Sequence, residues 1–243
     1  MAVPLAALSA CASTSAGSDK VYVIATDTTF APFEFQDSNS NYVGIDVDLL
    51  DAIAKDQGFK YELQPLGFNA AVAALESKQA DGVIAGMSIT DARKEKYDFS
   101  QAYYDSGVVM AIKADNGTVT GYDSLAGQKV AVKTGTEGAT FAESIAAQYG
   151  FELKYFDESP MMYEDVKTGN TIACFEDYPV IGYGISQGNG LKMVTDMEKG
   201  SSYGFAVLKG NVPELLEMFD KGLANVRSNG TYDSIIGKYI AKE

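Results

Sequence analysis

The sequence predicts an α/β fold made of two Rossmann-like lobes joined by a two-strand hinge. With 243 residues, the chain is long enough for two modest domains, each with its own core. Short β-rich runs alternate with segments of helical periodicity, which is typical of parallel sheets flanked by helices. Extended segments near residues 106–107 and 199–202 interrupt this alternation, and we interpret them as two crossings between the lobes. A cleft between the lobes is then the expected place for a small ligand.

The first lobe is predicted to contain three strands and three helices after residue 19. The strands are placed at residues 21–25, 59–63 and 81–85. Asp46 is interpreted as the cap of a first helix, which Gly58 ends. A second helix covers residues 70–78, and Thr90 is expected to cap a short polar helix that continues to Glu95.

The second lobe and the tail repeat this pattern. Strands are predicted at residues 129–132, 151–156 and 171–175, and helices at 139–149, 161–168 and 178–186. The tail carries a predicted strand at 204–208 and helices at 212–228 and 232–240. We therefore expect residues 19–107 with 203–243 to form the first lobe, and residues 108–202 to form the second.

Composition excludes several classes of function. Acidic residues number 33 against 19 lysines and arginines, and the formal charge of −14 argues against a nucleic-acid partner. The chain has no histidine, which removes Ser-His-Asp and Cys-His catalysis and histidine-ligated metals. Its two cysteines are too few for a zinc or iron–sulfur site. We therefore expect neither a metal nor another cofactor.

Residues 1–18 have the pattern of a secretory-signal remnant followed by a Ser/Thr/Gly tether. Their apolar run of about ten residues is far shorter than the roughly 20 that a membrane helix needs. Residues 8–11 resemble the lipobox of bacterial lipoproteins, in which the cysteine, here Cys11, is diacylated and becomes the mature N-terminus. This predicts an extracytoplasmic protein held at the membrane by a lipid anchor only, with a disordered apolar tag as the alternative. Cys174 lies in an apolar segment and is interpreted as a small core residue.

Polar and aromatic side chains follow the predicted strands of the first lobe, where the carboxyl ends of parallel strands face the cleft. Gly86 permits close approach of the backbone, Ser88 and Thr90 offer hydroxyl groups, and Arg93 lies one helical turn after Thr90. The guanidinium of Arg93 is suited to hold a carboxylate through two hydrogen bonds. The alternatives are helix capping for the hydroxyl groups and a solvated pair with a neighbouring carboxylate for Arg93. The candidates from this lobe are Asp27, Phe30, Phe68, Gly86, Ser88 and Arg93.

The second lobe supplies a glycine-containing turn and a pair of carboxylates. Residues 132–138 lead from a strand into a helix without the residue order of a phosphate-binding loop, yet their backbone N–H groups suit an anionic or carbonyl oxygen. Glu176 and Asp177 end the strand of residues 171–175 at the cleft. An arginine on one lobe and an aspartate on the other fit a zwitterion, with its carboxylate at Arg93 and its ammonium at Asp177.

The order of these motifs resembles the polar amino-acid-binding proteins of bacterial ABC importers, the solute-binding proteins of family 3. The motifs are T-D-T-x-F-x-P-F-E-F, G-x-D-V-D-L, A-G-x-x-I-T-x-x-R and D-F-S-x-x-Y-Y, and the resemblance covers residues 19–243. It implies the type II architecture of periplasmic binding proteins, with the two lobes closing on the ligand. It also implies an ABC permease as partner, and we expect the binding protein itself to be a monomer.

The resemblance assigns a role to each candidate residue. The aliphatic stem of the ligand is placed between Phe30 and Phe68, and its α-ammonium at Asp177. The α-carboxylate is assigned to Gly86, Ser88 and Arg93, with Thr136 added from the second lobe.

The end of the site that receives the ligand's side chain decides the substrate. In glutamine-binding members, the residues that match Asp27 and Lys133 hold the side-chain amide, which accepts from the lysine and donates to the aspartate. A cationic ligand beside Lys133 would be repelled, so glutamine is the first expectation. Glu137 and Glu176 depart from the glutamine-binding pattern and could tolerate a basic ligand, which keeps arginine and lysine open.

Two other classes of function compete with amino-acid capture. The same fold hosts cyclohexadienyl dehydratases, in which a cleft acid, here Glu176, would expel water and carbon dioxide. The residues of a complete amino-acid site, and the lack of a second proton-transfer group, favour a protein that is not an enzyme. A ligand-sensing ectodomain is the other alternative, and a chain that ends at Glu243 without a following hydrophobic span favours a separate binding protein.

Overall fold

Two helix-covered β-sheets form the framework of the chain in a computed structural model that describes residues 20–240. The strands are β1 (Val21–Thr26), β2 (Thr29–Phe30), β3 (Glu34–Gln36), β4 (Tyr42–Val43), β5 (Lys60–Pro65), β6 (Gly82–Val83), β7 (Tyr97–Phe99), β8 (Tyr104–Lys113), β9 (Lys129–Lys133), β10 (Glu152–Phe156), β11 (Ala173–Asp177), β12 (Leu191–Met193), β13 (Glu198–Tyr203) and β14 (Ala206–Leu208). The helices are α1 (Ile45–Gln57), α2 (Phe68–Glu76), α3 (Asp91–Lys94), α4 (Glu137–Tyr149), α5 (Ser159–Lys167), α6 (Tyr178–Ser186), α7 (Pro213–Ser228) and α8 (Thr231–Tyr239), with a 3₁₀ turn at Tyr122–Leu125. The predicted leader and Cys11 lie outside the described residues.

The first sheet has the strand order β5-β1-β6-β14-β7. β1 pairs in parallel with β5 and β6, while β14, which comes from the tail of the chain, pairs antiparallel with β6 and β7. Successive residues of β1 point to opposite faces. Ile24 packs in a core with helices α1, α7 and α8, and Ala25 packs in a second core with α2.

The second sheet has the order β10-β9-β11-β8-β12, and β13 pairs with β8. β9, β10 and β11 are parallel, whereas β8 runs antiparallel to its neighbours. Alternate residues of β8 again supply two cores, one against α4 and the other against α5 and α6. Cys174 lies in the second of these cores, fully buried and unpaired, as the sequence predicts. Two lobes, each a sheet flanked by helices, confirm the predicted fold class, although both sheets are mixed rather than parallel throughout.

The segments predicted to cross between the lobes are strands that pair with each other. β8 and β13 run antiparallel, with Tyr203 opposite Tyr104 and Ser201 opposite Ser106. The register shifts between Glu198 and Ser201. At Gly107 a Cβ atom would lie 2.9 Å from the carbonyl oxygen of Glu198, so only glycine lets the strands approach this closely. The link between the lobes is therefore a two-stranded ribbon rather than a loop.

The prediction that Asp46 caps the first helix is wrong. α1 begins at Ile45, and Gly44 precedes it with φ +136° and no side-chain cap. A Cβ at Gly44 would lie 2.0 Å from the carbonyl oxygen of Phe33, so packing against that segment requires glycine at the helix start. Asp46 instead lies in the first helical turn, where its side chain is fully buried. Thr90, by contrast, does cap α3, because its hydroxyl accepts a hydrogen bond from the Arg93 backbone N–H.

Several short strands were not predicted. β2, β3 and β4 form a separate small sheet of strands two or three residues long, and the three-residue strands β7 and β12 were also missed. Strands this short give no clear alternation of apolar and polar residues. None of the helices among residues 20–240 is both long enough and apolar enough to span a bilayer.

Candidate functional site

A small, narrow cavity lies between the lobes, where β1, β9 and β11 end. Ala85 is the one lining residue that the sequence did not suggest. Ten of the eleven predicted site residues line it: Asp27, Phe30, Phe68, Gly86, Ser88, Arg93, Lys133, Thr136, Glu137 and Asp177. Glu176 is the exception.

One part of the cavity wall is a buried ion pair that joins the two lobes. The Lys133 ammonium donates to Oδ2 of Asp27, and each residue is 1% exposed. Oδ1 of Asp27 accepts a hydrogen bond of 2.6 Å from the Thr28 N–H. The Lys133 nitrogen also lies 5.1 Å from the centre of the Phe30 ring. Each charge is compensated by the other in a setting where an isolated charge would be strongly unfavourable.

Arg93 connects the lobes through its guanidinium. Nη1 donates to the Ser88 carbonyl at 2.9 Å, and Nη2 donates to the Gly135 carbonyl of the second lobe at 3.0 Å. The guanidinium lies 5.5 Å from the centre of the Phe68 ring. These two bonds use two of its five donors and direct the side chain into the cleft, which leaves N–H groups for an anionic ligand.

The start of α4 forms another part of the wall. The Thr136 hydroxyl accepts from the Ala139 N–H at 3.3 Å and donates to the Lys133 carbonyl at 2.8 Å. Helix capping therefore accounts for this hydroxyl, as the sequence allowed for hydroxyl groups of this kind. Glu137 follows it and lines the cavity, partly exposed. Its carboxylate faces the positive charge of Arg93.

The sequence led us to expect that Gly86 binds the ligand's carboxylate, which would require a free backbone N–H. That N–H is already used. It donates to Oδ2 of Asp46 at 2.8 Å, so only the Gly86 carbonyl oxygen is left for a ligand. The residue has φ +52°, and a Cβ there would lie 2.3 Å from the Phe30 ring. Both the backbone conformation and the contact with Phe30 require glycine. A carbonyl oxygen suits an ammonium group rather than a carboxylate.

Asp177 lies at the base of the hinge and is 5% exposed. Its Oδ2 accepts a hydrogen bond of 2.6 Å from the hydroxyl of Tyr203, which in turn accepts from the hydroxyl of Ser106 at 3.0 Å. Burial, followed by the charge of Glu176, raises the pKa of Asp177 to about 7. Sequence reasoning missed Tyr203 and Ser106 as site residues, although both lie at the ends of the predicted crossings.

Glu176 is buried beneath the cavity wall rather than in it. Its carboxylate accepts from the Ser159 hydroxyl and the Tyr163 hydroxyl, both at 2.9 Å, and from the Asp177 N–H at 3.0 Å. Burial raises its pKa, and the charge of Lys133 opposes that rise. Cys174 pairs with Ala131 in the parallel register of β11 and β9, so two residues further on Glu176 lies beside Lys133 on the same face. Glu176 thus provides a negative charge next to Lys133 within its own lobe.

The geometry provides matched charges of both signs across the cleft. Donors of Arg93 and the carboxylate of Asp177 are available for a small zwitterion, and the Asp27–Lys133 pair offers one acceptor and one donor for a polar side chain. Within residues 20–240, no three cysteine or acidic side chains are grouped so as to hold a metal ion.

Comparison with known proteins places this site in a family. Residues 22–242 match the family described as bacterial extracellular solute-binding proteins, family 3. The arginine-binding extracellular protein ArtP of Bacillus subtilis (strain 168) is 31% identical over 241 residues, which is 98% of this chain and 94% of that protein.

Two solved structures illustrate the arrangement of the lobes. An ancestral arginine-binding protein bound to glutamine matches with a TM-score of 0.84 at 37% identity, covering 91% of this chain and 98% of that one. The second substrate-binding domain of GlnP from Lactococcus lactis, in an open conformation, is 43% identical over 93% of this chain and 97% of its own, with a TM-score of 0.63. The GlnP domain therefore has the higher sequence identity but the lower TM-score of the two. This combination is expected when similar lobes are set at a different angle to each other. The lobes of the present structure contact each other directly through Arg93 and through the Asp27–Lys133 pair.

Proposed function

Because the chain belongs to family 3 of the bacterial extracellular solute-binding proteins, as its motifs predict, we propose that it captures L-glutamine between its lobes and delivers it to an ABC permease. The matched relatives are amino-acid-binding proteins, some of them parts of ABC transporters. The observation that carries the choice of glutamine is the buried Asp27–Lys133 pair in a cavity that also contains Arg93 and Asp177.

The zwitterionic end of the ligand is proposed to lie between Arg93 and Asp177. The free N–H groups of Arg93 receive the α-carboxylate, while Asp177 and the Gly86 carbonyl receive the α-ammonium. The ring of Phe68 beneath Arg93 and the ring of Phe30 beside Lys133 then flank the aliphatic stem. Each charge of the ligand meets its opposite, which a closed cleft requires.

The side-chain amide of glutamine is proposed to insert at the Asp27–Lys133 pair. An amide has one acceptor oxygen and two donor hydrogens, which match the Lys133 ammonium and the Asp27 carboxylate. Arginine or lysine remains the second candidate, supported by Glu137 in the cavity wall and by Glu176 beside Lys133. A basic side chain would then pair with Asp27, and Lys133 would have to turn toward Glu176.

A thermal-shift screen against the twenty common amino acids tests this function. A ligand at 100 times its Kd stabilises the folded state by about 2.7 kcal/mol, so the preferred amino acid stands out clearly. We expect the largest shift with L-glutamine. A larger shift with arginine or lysine would replace the substrate but keep the family function, whereas no shift with any amino acid would contradict amino-acid capture.

The dehydratase alternative has little support from the site. Glu176, the acid that it requires, accepts three hydrogen bonds and does not line the cavity. A general acid must reach the group that it protonates. We propose that the protein is not an enzyme, and turnover of arogenate or prephenate by the purified protein would contradict this.

We expect ligand binding to bring the lobes together. The proposed contacts lie on both lobes, so only the closed arrangement satisfies both ends of the ligand. Small-angle X-ray scattering should show a smaller radius of gyration with saturating L-glutamine, and D-glutamine is the matched control. An unchanged radius of gyration with a bound ligand would contradict closure at the ribbon formed by β8 and β13.

Ligand affinity is expected to increase as the pH rises through about 7, because the α-ammonium needs an ionised Asp177 and burial with the charge of Glu176 raises that pKa to about 7. Below its pKa, each pH unit weakens binding by about tenfold. The folding stability of the unliganded protein changes in the opposite direction. It decreases as the pH rises toward about 7, because Asp177 must give up a proton while buried.

Calorimetric titration of wild type and Glu176→Gln over this pH range checks the cause. Removing the neighbouring negative charge should lower the Asp177 pKa and move the affinity profile to lower pH. Superimposable profiles for the two proteins would show that Glu176 does not set the titration.

We also propose that Cys11 carries a lipid anchor, which the sequence of residues 8–11 supports. Cys174 is fully buried in the second lobe, so we expect no disulfide between the two cysteines. Mass spectrometry of the protein from its native host should find a diacylated Cys11. An unmodified Cys11, or a bridge to Cys174, would contradict the anchor.

A further inference from the structure

Two carboxyl groups are buried together behind the cavity, in the first lobe. Glu34 lies in β3 and Asp46 in the first turn of α1, and both residues are 0% exposed. Asp46 touches the site directly, because its Oδ2 accepts from the Gly86 N–H at 2.8 Å and from the Tyr103 hydroxyl at 2.7 Å. The function proposed above assigns no role to either carboxyl group.

Three oxygens of this pair lack a hydrogen-bond donor. The Asp46 N–H donates to the Phe33 carbonyl at 2.9 Å, which places Asp46 beside Glu34, and each carboxyl group acts on the pKa of the other. Among residues 20–240, no N–H or O–H group of another residue reaches either oxygen of Glu34 or Oδ1 of Asp46. Two carboxylates accept hydrogen bonds and cannot donate them, so a bond between them requires a proton on one. Two adjacent buried carboxylates, moreover, cannot both be ionised without a large energetic penalty.

We infer that Glu34 is held as a neutral acid that donates its proton to Asp46, and that this shared proton positions the Gly86 peptide at the candidate site. The role of Gly86 in this inference rests on the proposed function. With the proton in place, Oδ1 of Asp46 is satisfied by Glu34, and Oδ2 remains directed at the Gly86 N–H. The peptide is then fixed with its N–H away from the ligand and only its carbonyl available.

The charged groups around the pair favour this assignment of the proton. Burial raises the pKa of Glu34 well above its ordinary value, and the charges of Asp46 and Asp27 act in the same direction. The charge of Lys133, from the other lobe, opposes them more weakly. Asp46 receives two hydrogen bonds, from Gly86 and Tyr103, which favour its charged form. Glu34 receives none from these groups and is the better site for the proton.

Infrared spectroscopy of the whole protein detects the shared proton directly. In difference spectra at neutral pH, wild type should show one more carboxylic-acid carbonyl band than Glu34→Gln and Asp46→Asn, while the contribution of Asp177, whose pKa is about 7, is common to all three proteins. In either variant an amide donates to the remaining carboxylate, which then needs no proton. Asp165→Asn is the matched control, because Asp165 is also buried but pairs with Lys154, and its pKa is lowered. Identical carboxylic-acid bands in wild type, Glu34→Gln and Asp46→Asn would overturn the inference.

Ligand titration separates positioning from simple packing. Glu34→Gln keeps the donor and should retain the wild-type affinity within about twofold, whereas Glu34→Met removes it and should weaken binding roughly tenfold. Equal losses in both variants, or no loss in Glu34→Met, would contradict the positioning role. If no amino acid binds any of the proteins, the proposed function fails, but the infrared comparison still decides whether the proton is shared.

A stability measurement remains informative if Glu34→Met does not fold. The pKa of Glu34 is raised in the folded state, so its contribution is complete at low pH and is lost as the pH rises toward the folded pKa. Relative to Glu34→Gln, the wild-type folding equilibrium constant should fall by up to about tenfold for each pH unit above the ordinary glutamate range. Parallel urea-unfolding midpoints across the pH range would rule out a proton on Glu34.

Discussion

Replacing Arg93 by alanine is expected to weaken amino-acid binding by about 2–5 kcal/mol, which is roughly 30- to 4,000-fold in Kd. The ligand's α-carboxylate would lose its charged partner in a closed cleft. The variant would also lose the bond from Nη2 to the Gly135 carbonyl, one of the direct contacts between the lobes. Calorimetric titration with the preferred amino acid measures the loss, and urea unfolding shows that the fold is retained.

Arg227→Ala is the matched control for this variant. Arg227 also donates to backbone carbonyls, those of Ala102 and Tyr103, but it does not line the cavity. It should leave the affinity within about threefold of wild type, since it removes no contact with the ligand. Near-wild-type affinity in Arg93→Ala would contradict the proposed role of Arg93 in binding the α-carboxylate.

Exchange of Lys133 for leucine is expected to change the preferred ligand. Glutamine should bind about 2–4 kcal/mol more weakly, or roughly 30- to 1,000-fold, because its amide oxygen loses a charged donor and Asp27 loses its counter-ion. Arginine and lysine should bind more tightly than to wild type, because the repelling ammonium is gone and Asp27 is free to pair with the ligand. Competitive titration with glutamine, arginine, lysine and glutamate measures both changes.

Two further variants separate charge from shape in this experiment. Lys133→Leu combined with Asp27→Asn removes both charges and should lose the gain for arginine and lysine. Lys154→Leu, which removes a lysine paired with Asp165 outside the cavity, should not change the ligand order. If wild type already prefers arginine or lysine, the specificity assigned to Lys133 is wrong. The roles proposed for Arg93 and Asp177 would survive that outcome.

The large elements of the fold are well predicted because each carries a long periodic pattern. The helix predicted at residues 178–186 matches α6, and those predicted at 139–149 and 212–228 match α4 and α7 to within two residues. The small sheet of β2, β3 and β4 was missed because strands of two or three residues depend on pairing partners that a local pattern does not contain.

In the site, too, local sequence patterns predict some features, while others depend on residues distant in sequence. Asp27 and Asp177 were predictable because they lie at the ends of strands, and the ends of parallel strands face one cleft. Lys133 was predicted from the resemblance to glutamine-binding members of the family. The orientation of the Gly86 peptide was not predictable, because it depends on a hydrogen bond to Asp46, 40 residues away in sequence. Tyr203 and Asp177 are similarly joined by the fold alone, since their side chains meet across the hinge. Contacts of this kind depend on tertiary packing, which local patterns do not report.

The pairing of β8 with β13 has a consequence for how quickly and how tightly the site assembles. Both strands continue into the lobes: Tyr104 and Tyr203 pack in the core of the first lobe, and Val108 packs in a core of the second. A ribbon anchored at both ends restricts the lobes to a bending motion instead of the wide search that two loose linkers would allow. Once a ligand rests on one lobe, the other therefore meets it at a high effective concentration, and closure does not carry the entropic penalty of a second encounter.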